Sequence, residues 1–250
     1  MAVMPLLECF IRGDVDPEVS LLAAQGALAP RADEQLAILV YLVTHDETHV
    51  ATVANQTIAS LPVEAVAGLI ARKDTSEKVL EFFAARGIVP GAVATEDTDA
   101  PLVDTGEEPE AVDPAKVPLH ALTVPQRLKM AMKGSREQRA VLVRDNNRMI
   151  AAAVLSSPKL AETEVEAFAR MANVSEDVLR TISMNRSWMR RQAVATALVK
   201  NPKTPATISL FLLPRMQQRD VKNLAIDRNV PEALRLNAKK MMQRQEDRQK

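Results

Sequence analysis

The chain has 250 residues, 32 basic against 32 acidic side chains, 47% hydrophobic residues but only 3% aromatic ones, and eleven methionines. Cores built from Ala, Leu, Val and Met suit close helix–helix packing better than a sheet, and the length suffices for one solenoid or two ordinary domains. A single cysteine, Cys9, excludes an intrachain disulfide and a cysteine metal cluster.

The opening MAVMPLLECFIRGD lacks the basic flank and small-residue cleavage site of a signal peptide. No apolar run reaches membrane-spanning length, so a soluble cytoplasmic protein is expected. Asp16 is placed to cap a helix opened by Pro17 and Glu18. The strongly apolar run DEQLAILVYLV at 33–43 predicts a buried helix, and helical patterns follow at 49–59, 63–71 and 76–84. These make up a predicted N-terminal helical domain, residues 1–89.

Between 90 and 118 the periodicity stops. GAVATEDTDAPLVDTGEEPEAVDPAKVPL carries eight acidic residues and one lysine. So polar a segment buries too little apolar surface to offset its ordering entropy. It reads as a flexible acidic linker, with a cover strip over the basic half as the sharper alternative.

A C-terminal helical domain is predicted over 119–241, with a basic frayed tail over 242–250. Thr123 with Gln126 forms a plausible capping pair. Helices are expected at 148–157 and 163–172. Ser175 caps another, with Glu176 and Asp177 favouring the helix dipole in its first turn. Further helices are expected at 188–201, 206–216 and 220–226, and a last one from near Pro231.

The neutral total conceals a division. Before Lys116 the chain has 6 basic and 20 acidic residues, and from Lys116 onward 26 and 12. Opposite charge on the two halves suits either mutual attraction or two different partners.

KNPKTP, residues 200–205, reads as a corner between helices. Asn201 and Pro202 stop one helix, Thr204 caps the next and Pro205 opens it. A weaker form, SSPKLA, stands at 156–161, so Pro158 and Pro202 lie 44 residues apart. The segment 46–83 echoes 145–182 at an offset of 99, which matches Val66 with Val165, Leu69 with Phe168 and Val79 with Val178. A unit of about 40–47 residues is the armadillo/HEAT class of period. The expected fold is therefore all-α: stacked helical repeats in two parts joined by the acidic linker.

The run VATALVKNPKTPATISLFL at 194–212 resembles the helix–Asn-Pro-x-Thr-Pro–helix joint of bacterial HEAT-like and variant leucine-rich repeat proteins. Asn201, Pro202, Thr204 and Pro205 carry the resemblance, Pro158 alone keeps it at the earlier corner, and only Leu61-Pro62 echoes it before the linker. It implies curved helical stacks that bind proteins or, less often, nucleic acid. It implies no chemistry, and the iron–sulfur cluster of some variant leucine-rich repeat proteins has no counterpart beside the lone Cys9.

No phosphate loop, dinucleotide fingerprint, nucleophile elbow or Cys/His pairing is present, so no enzyme and no cofactor is expected. His45 and His49 lie four apart near Asp46 and Glu47, but a solvated helix start explains them better than a metal site. His120 stands alone beside the linker. Glu162, Glu164 and Glu166 read as dipole compensation at a helix start, and Asp145 to Asn147 as a turn.

The candidate partner-binding residues are Arg144, Arg148, Arg186, Trp188, Arg190 and Arg191. If the units stack in parallel, equivalent helix starts line one edge and form a basic ridge beside an aromatic. Lys239, Lys240, Arg244, Arg248 and Lys250 would extend it. Such a ridge suits an acidic protein surface, or else nucleic-acid phosphates. Few aromatics are available to stack on single strands, which favours the protein partner.

Overall fold

The computed structural model describes residues 3–45, 49–95, 100–105 and 121–249. They form sixteen α-helices and a 3₁₀ turn, with no strand among the described residues. No single helix among them is long and apolar enough to cross a membrane. Contacts group the chain into two compact units, Met1–Leu160 and Ala161–Lys250. The division lies at 160/161 and not within 90–118, so the N-terminal helices and the first three helices after the acidic segment belong together.

In the first unit, α1 (Pro5–Arg12) and α2 (Pro17–Ala24) are short and begin at prolines. Asp16 occupies the N-cap position as expected, but its side chain makes no capping bond. Helix α3 (Ala32–His45) is apolar nearly all round and buries Leu36, Ile38, Leu39 and Leu42. Such a helix must be covered on several sides, and α1, α2, α4 (His49–Ser60) and α6 (Glu77–Ala84) pack on it. Helix α5 (Val63–Ile70) follows α4 after Leu61-Pro62, and the two are bent by 99°. Helix α7 (Val124–Lys133) opens with the anticipated capping box of Thr123 and Gln126, and α8 (Arg136–Leu142) repeats the device with Ser135 and Gln138. Helix α9 (Arg148–Ser156) starts at Asn147, whose side chain accepts from Met149 N at 2.9 Å.

A carboxylate joins α3 to α1. Glu34, in the first turn of α3, is 3% exposed. Its Oε1 accepts the backbone N–H of Leu6 at 2.7 Å and of Leu7 at 3.1 Å, donors that α1 cannot satisfy internally. Burial pushes its pKa up to about 7, and the backbone N–H groups of Leu7 and Leu6 oppose that rise. Helix α1 also packs on α9.

The described parts of the acidic segment are fastened to this unit, which corrects the expectation of a free linker there. Gly91 N donates to Ala67 O and Thr95 N to Gly68 O, each at 2.9 Å. Gln35, buried in α3, accepts from Leu102 N at 2.7 Å and Val103 N at 3.0 Å and donates to Val103 O at 2.6 Å. Asp104 pairs with the buried Lys133 at 2.7 Å, and Thr105 donates to Gln25 O at 2.6 Å. A Cβ on Gly26 would stand 2.6 Å from Val103 Cγ1, and Gly26 has φ +78°, so this approach requires glycine twice over. The rest of the predicted linker, 96–99 and 106–118, lies outside the described residues, as does His120.

The second unit comprises α10 (Glu162–Arg170), α11 (Glu176–Met184), α12 (Arg186–Met189), α13 (Gln192–Lys200), α14 (Ala206–Leu212), α15 (Gln218–Ile226) and α16 (Glu232–Gln249). Ser175 caps α11 through Val178 N. The helix anticipated over 188–201 is instead two, because Asn185 caps α12 and the chain breaks at Arg190–Arg191 before α13. The helix anticipated over 206–216 closes as a 3₁₀ turn at Leu213–Arg215, where Pro214 lacks the N–H to continue it. At the C-terminus, α16 runs on to Gln249 in place of a tail frayed from 242.

Helix starts recur as the repeat reading requires. Those of α4, α5 and α6 at 49, 63 and 77 meet those of α9, α10 and α11 at 148, 162 and 176, each 99 residues later. Helix α13 spans 192–200, which is α9 shifted by 44 at both ends.

KNPKTP is a corner, and a buried one. Asn201 is 3% exposed; its Nδ2 donates to Ala169 O at 2.8 Å and Met171 O at 2.9 Å, and its Oδ1 accepts from Lys203 N at 2.9 Å. Ser157, 44 residues earlier, donates to Met132 O at 2.6 Å. Thr57 donates to Ala24 O at 2.6 Å. In all three places a side chain late in one helix ties down a carbonyl at the end of a neighbour. Thr204 does not cap α14: the N-cap is Pro205, and Thr204 is buried beneath the corner.

Two measurements probe these joints. Because folding raises the Glu34 pKa from 4.5 to about 7, the folded chain holds a proton that the unfolded chain releases in that window. Stability contributed this way is complete below pH 4.5 and lost as pH rises to 7, on the order of 3 kcal/mol. Urea titrations of Glu34→Gln should show that pH dependence flattened, whereas Glu34→Ala should be destabilised by about 2 kcal/mol at pH 5. Asn201→Ala should lower stability by roughly 2–3 kcal/mol, since it orphans buried backbone groups.

Candidate protein-binding surface

The six candidate residues fall into two sets. Arg144 and Arg148 belong to the first unit, at the turn before α9 and at its first position. Arg144 is exposed and its Nε donates to Ala140 O at 3.0 Å. Arg186, Trp188, Arg190 and Arg191 belong to the second unit, in and just after α12.

Arg186 and Arg190 are exposed, and Arg191 pairs with Glu162 at the start of α10. Trp188 is different. It is 4% exposed and belongs to the core with Met189. It is not a contact residue, because α12 is one turn long and Asn185 caps it with Trp188 inward.

The second unit also holds a groove that the sequence did not reveal, and none of the six candidate residues lines it. Helix α13 forms its floor from Ala193, Thr196 and Ala197, and the space amounts to about 320 Å³. Gln192 closes one end, and its Nε2 donates to Arg215 O at 3.3 Å, which brings the 3₁₀ turn beside Arg190 and Arg191. Lys200 and Asp220 close the other end with an ion pair at 2.9 Å. Arg170 and Gln217 stand along the sides. Small side chains on the floor and long polar ones at the rim make a trough for an apolar residue with polar flanks. A signal for it existed in the spacing 193, 196, 197 and 200, one helical face of small residues ending in a lysine.

His45 and His49 belong to different helices. His45 ends α3, stacks on Tyr41 at 4.4 Å and shares its Nδ1 with Thr44 Oγ1 at 2.8 Å, whereas His49 starts α4, so the two share no helical face. Asp46 and Glu47 lie outside the described residues. No group of three His, Cys, Asp or Glu among the described residues can hold a metal ion. Glu164, central to the acidic start of α10, is buried and accepts Ala161 N at 3.0 Å, a capping role. Asp145 pairs with Arg127 at 2.5 Å and holds Asn147 N, which makes the expected turn. The Cys9 thiol is buried beside Glu34, and burial pushes its pKa up to about 11, away from nucleophilic use.

Compared with known proteins, the chain matches no family model, no curated protein and no solved structure. The all-α, multi-helix fold is consistent with a stacked helical-repeat protein.

Core and surface readings of these residues separate by stability. Trp188→Ala should cost about 3–5 kcal/mol in urea unfolding, from the lost burial and the cavity. The double change Arg186→Glu with Arg190→Glu should leave stability within about 0.5 kcal/mol of the parent.

Proposed function

We propose that this chain is a non-enzymatic protein–protein interaction scaffold of HEAT-like stacked helical repeats, acting in the cytoplasm. Its binding surface is the α13 groove together with the exposed Arg186, Arg190 and Arg215 of the same unit. The observation that carries this reading is the groove itself, lined by the small side chains of Ala193, Thr196 and Ala197 and by two cations, Arg170 and Lys200, that pair with Glu166 and Asp220.

Residues 161–250 carry 17 basic and 10 acidic side chains, which suits an acidic protein surface. The same excess suits nucleic-acid phosphates, so the two partners need separating. The full-length chain as bait in cytoplasmic extract, with and without nuclease, is expected to retain a discrete protein under both conditions. The same bait bearing Arg186→Glu, Arg190→Glu and Arg215→Glu is expected to lose it. Recovery of nucleic acid alone, washed off at modest salt, would replace the scaffold reading with nucleic-acid binding.

A further inference from the structure

Residues 101–105, PLVDT, cross the first unit as neither helix nor strand. Among the described residues no backbone–backbone hydrogen bond reaches them. A side chain holds their main chain instead. Gln35, 2% exposed, accepts from Leu102 N and Val103 N through Oε1 and donates through Nε2 to Val103 O. Such contacts grip a chain by its backbone, whatever side chains it carries.

The side chains then alternate. Val103 lies against Gly26 and Thr105 donates to Gln25 O, both at the end of α2, whereas Asp104 between them pairs with Lys133 on α7. This is the alternation of an extended chain lying in a groove. At Thr105 the groove opens into a trough of about 560 Å³, lined also by Leu22, Val53 and Lys129. Lys129 precedes Lys133 by four residues on α7, so the two share a helical face about 6 Å apart along the axis. Two residues of extended chain cover about 6.6 Å. The position two residues after Asp104 therefore comes level with Lys129, and this chain has Gly106 there, which offers no carboxylate.

We infer that the groove between α2, α3 and α7 is a binding site for an extended acidic peptide of a partner protein, and that residues 102–105 are its intramolecular stand-in. The peptide has two apolar residues, an Asp or Glu at Lys133, a Thr or Ser, and a second Asp or Glu at Lys129. That second carboxylate gives it a contact which Gly106 cannot make. The chain's own segment competes with it at an effective concentration on the order of a millimolar. The inference goes beyond the surface proposed in the second unit and uses none of its arginines.

A test uses the full-length chain and two fluorescent, end-capped peptides copied from residues 100–106, one unchanged and one with Gly106→Glu. In anisotropy the Gly106→Glu peptide should bind saturably and at least about tenfold more tightly than the unchanged one. Lys129→Glu in the chain should abolish that preference. Val103→Asp in the chain, which unseats its own segment, should tighten binding of both peptides at least about tenfold. Hydrogen exchange on the unsubstituted chain checks displacement without relying on a variant that must fold. Saturating Gly106→Glu peptide should speed exchange of the Leu102 and Val103 amides while those of α3 stay protected. No saturable binding, or no change at Leu102 and Val103 under saturation, overturns the inference. A glutamate preference that survives Lys129→Glu overturns the second contact. A folded Val103→Asp chain that binds no more tightly overturns the competition. None of these results bears on capture through the second unit, which the arginine substitutions read separately.

Discussion

Most helices of this protein have seven to nine residues, too short to persist alone in water, and each leaves backbone donors and acceptors unmet at its ends. The structure depends on how those ends are satisfied. Three side chains late in helices, Thr57, Ser157 and Asn201, donate to terminal carbonyls of a neighbour. Glu34 does the converse and receives the first N–H groups of α1. Each bond joins packing to chain direction, because the donor reaches its carbonyl only in one register. Apolar stripes alone would let short helices slide past one another; these polar ties set the register.

The described pieces of the acidic segment belong to the same logic. Gln35 offers both ends of its amide to Leu102 and Val103, and Lys133 places a buried ammonium against Asp104. The carboxylate of Asp104 offsets part of the cost of burying that ammonium. The acidity of the N-terminal half thus has a structural component, separate from whatever charge steering toward a partner it supplies.

The candidate groove in the second unit lies beside α13. Helix α13 carries Ala193 where α9 carries Met149, and its Gln192, Thr196 and Lys200 all meet the 215–220 segment, Thr196 through a hydrogen bond from its hydroxyl to Met216 Sδ at 3.8 Å. The arginines anticipated at 186, 190 and 191 are exposed in the same unit without lining that groove, and Arg191 is already engaged by Glu162.

What the sequence determined by itself was local. Helical periods, the capping boxes at Thr123 and Ser135, the Ser175 cap and the corner at Asn201-Pro202 all depend on residues within one turn of each other. Such interactions act through the chain and leave a readable spacing. The recurrence at 99 and 44 was legible for the same reason, as one local pattern written three times. Only the tertiary structure decided that Trp188 points inward, that α1 covers α9 and that 102–105 is tied to α2, α3 and α7. It also decided that α13 lies open between Arg170 and Gln217. Those outcomes join residues from about twenty to more than a hundred positions apart. An alanine on a helical face looks alike in sequence whether another helix lies on it or not, and only packing determines which.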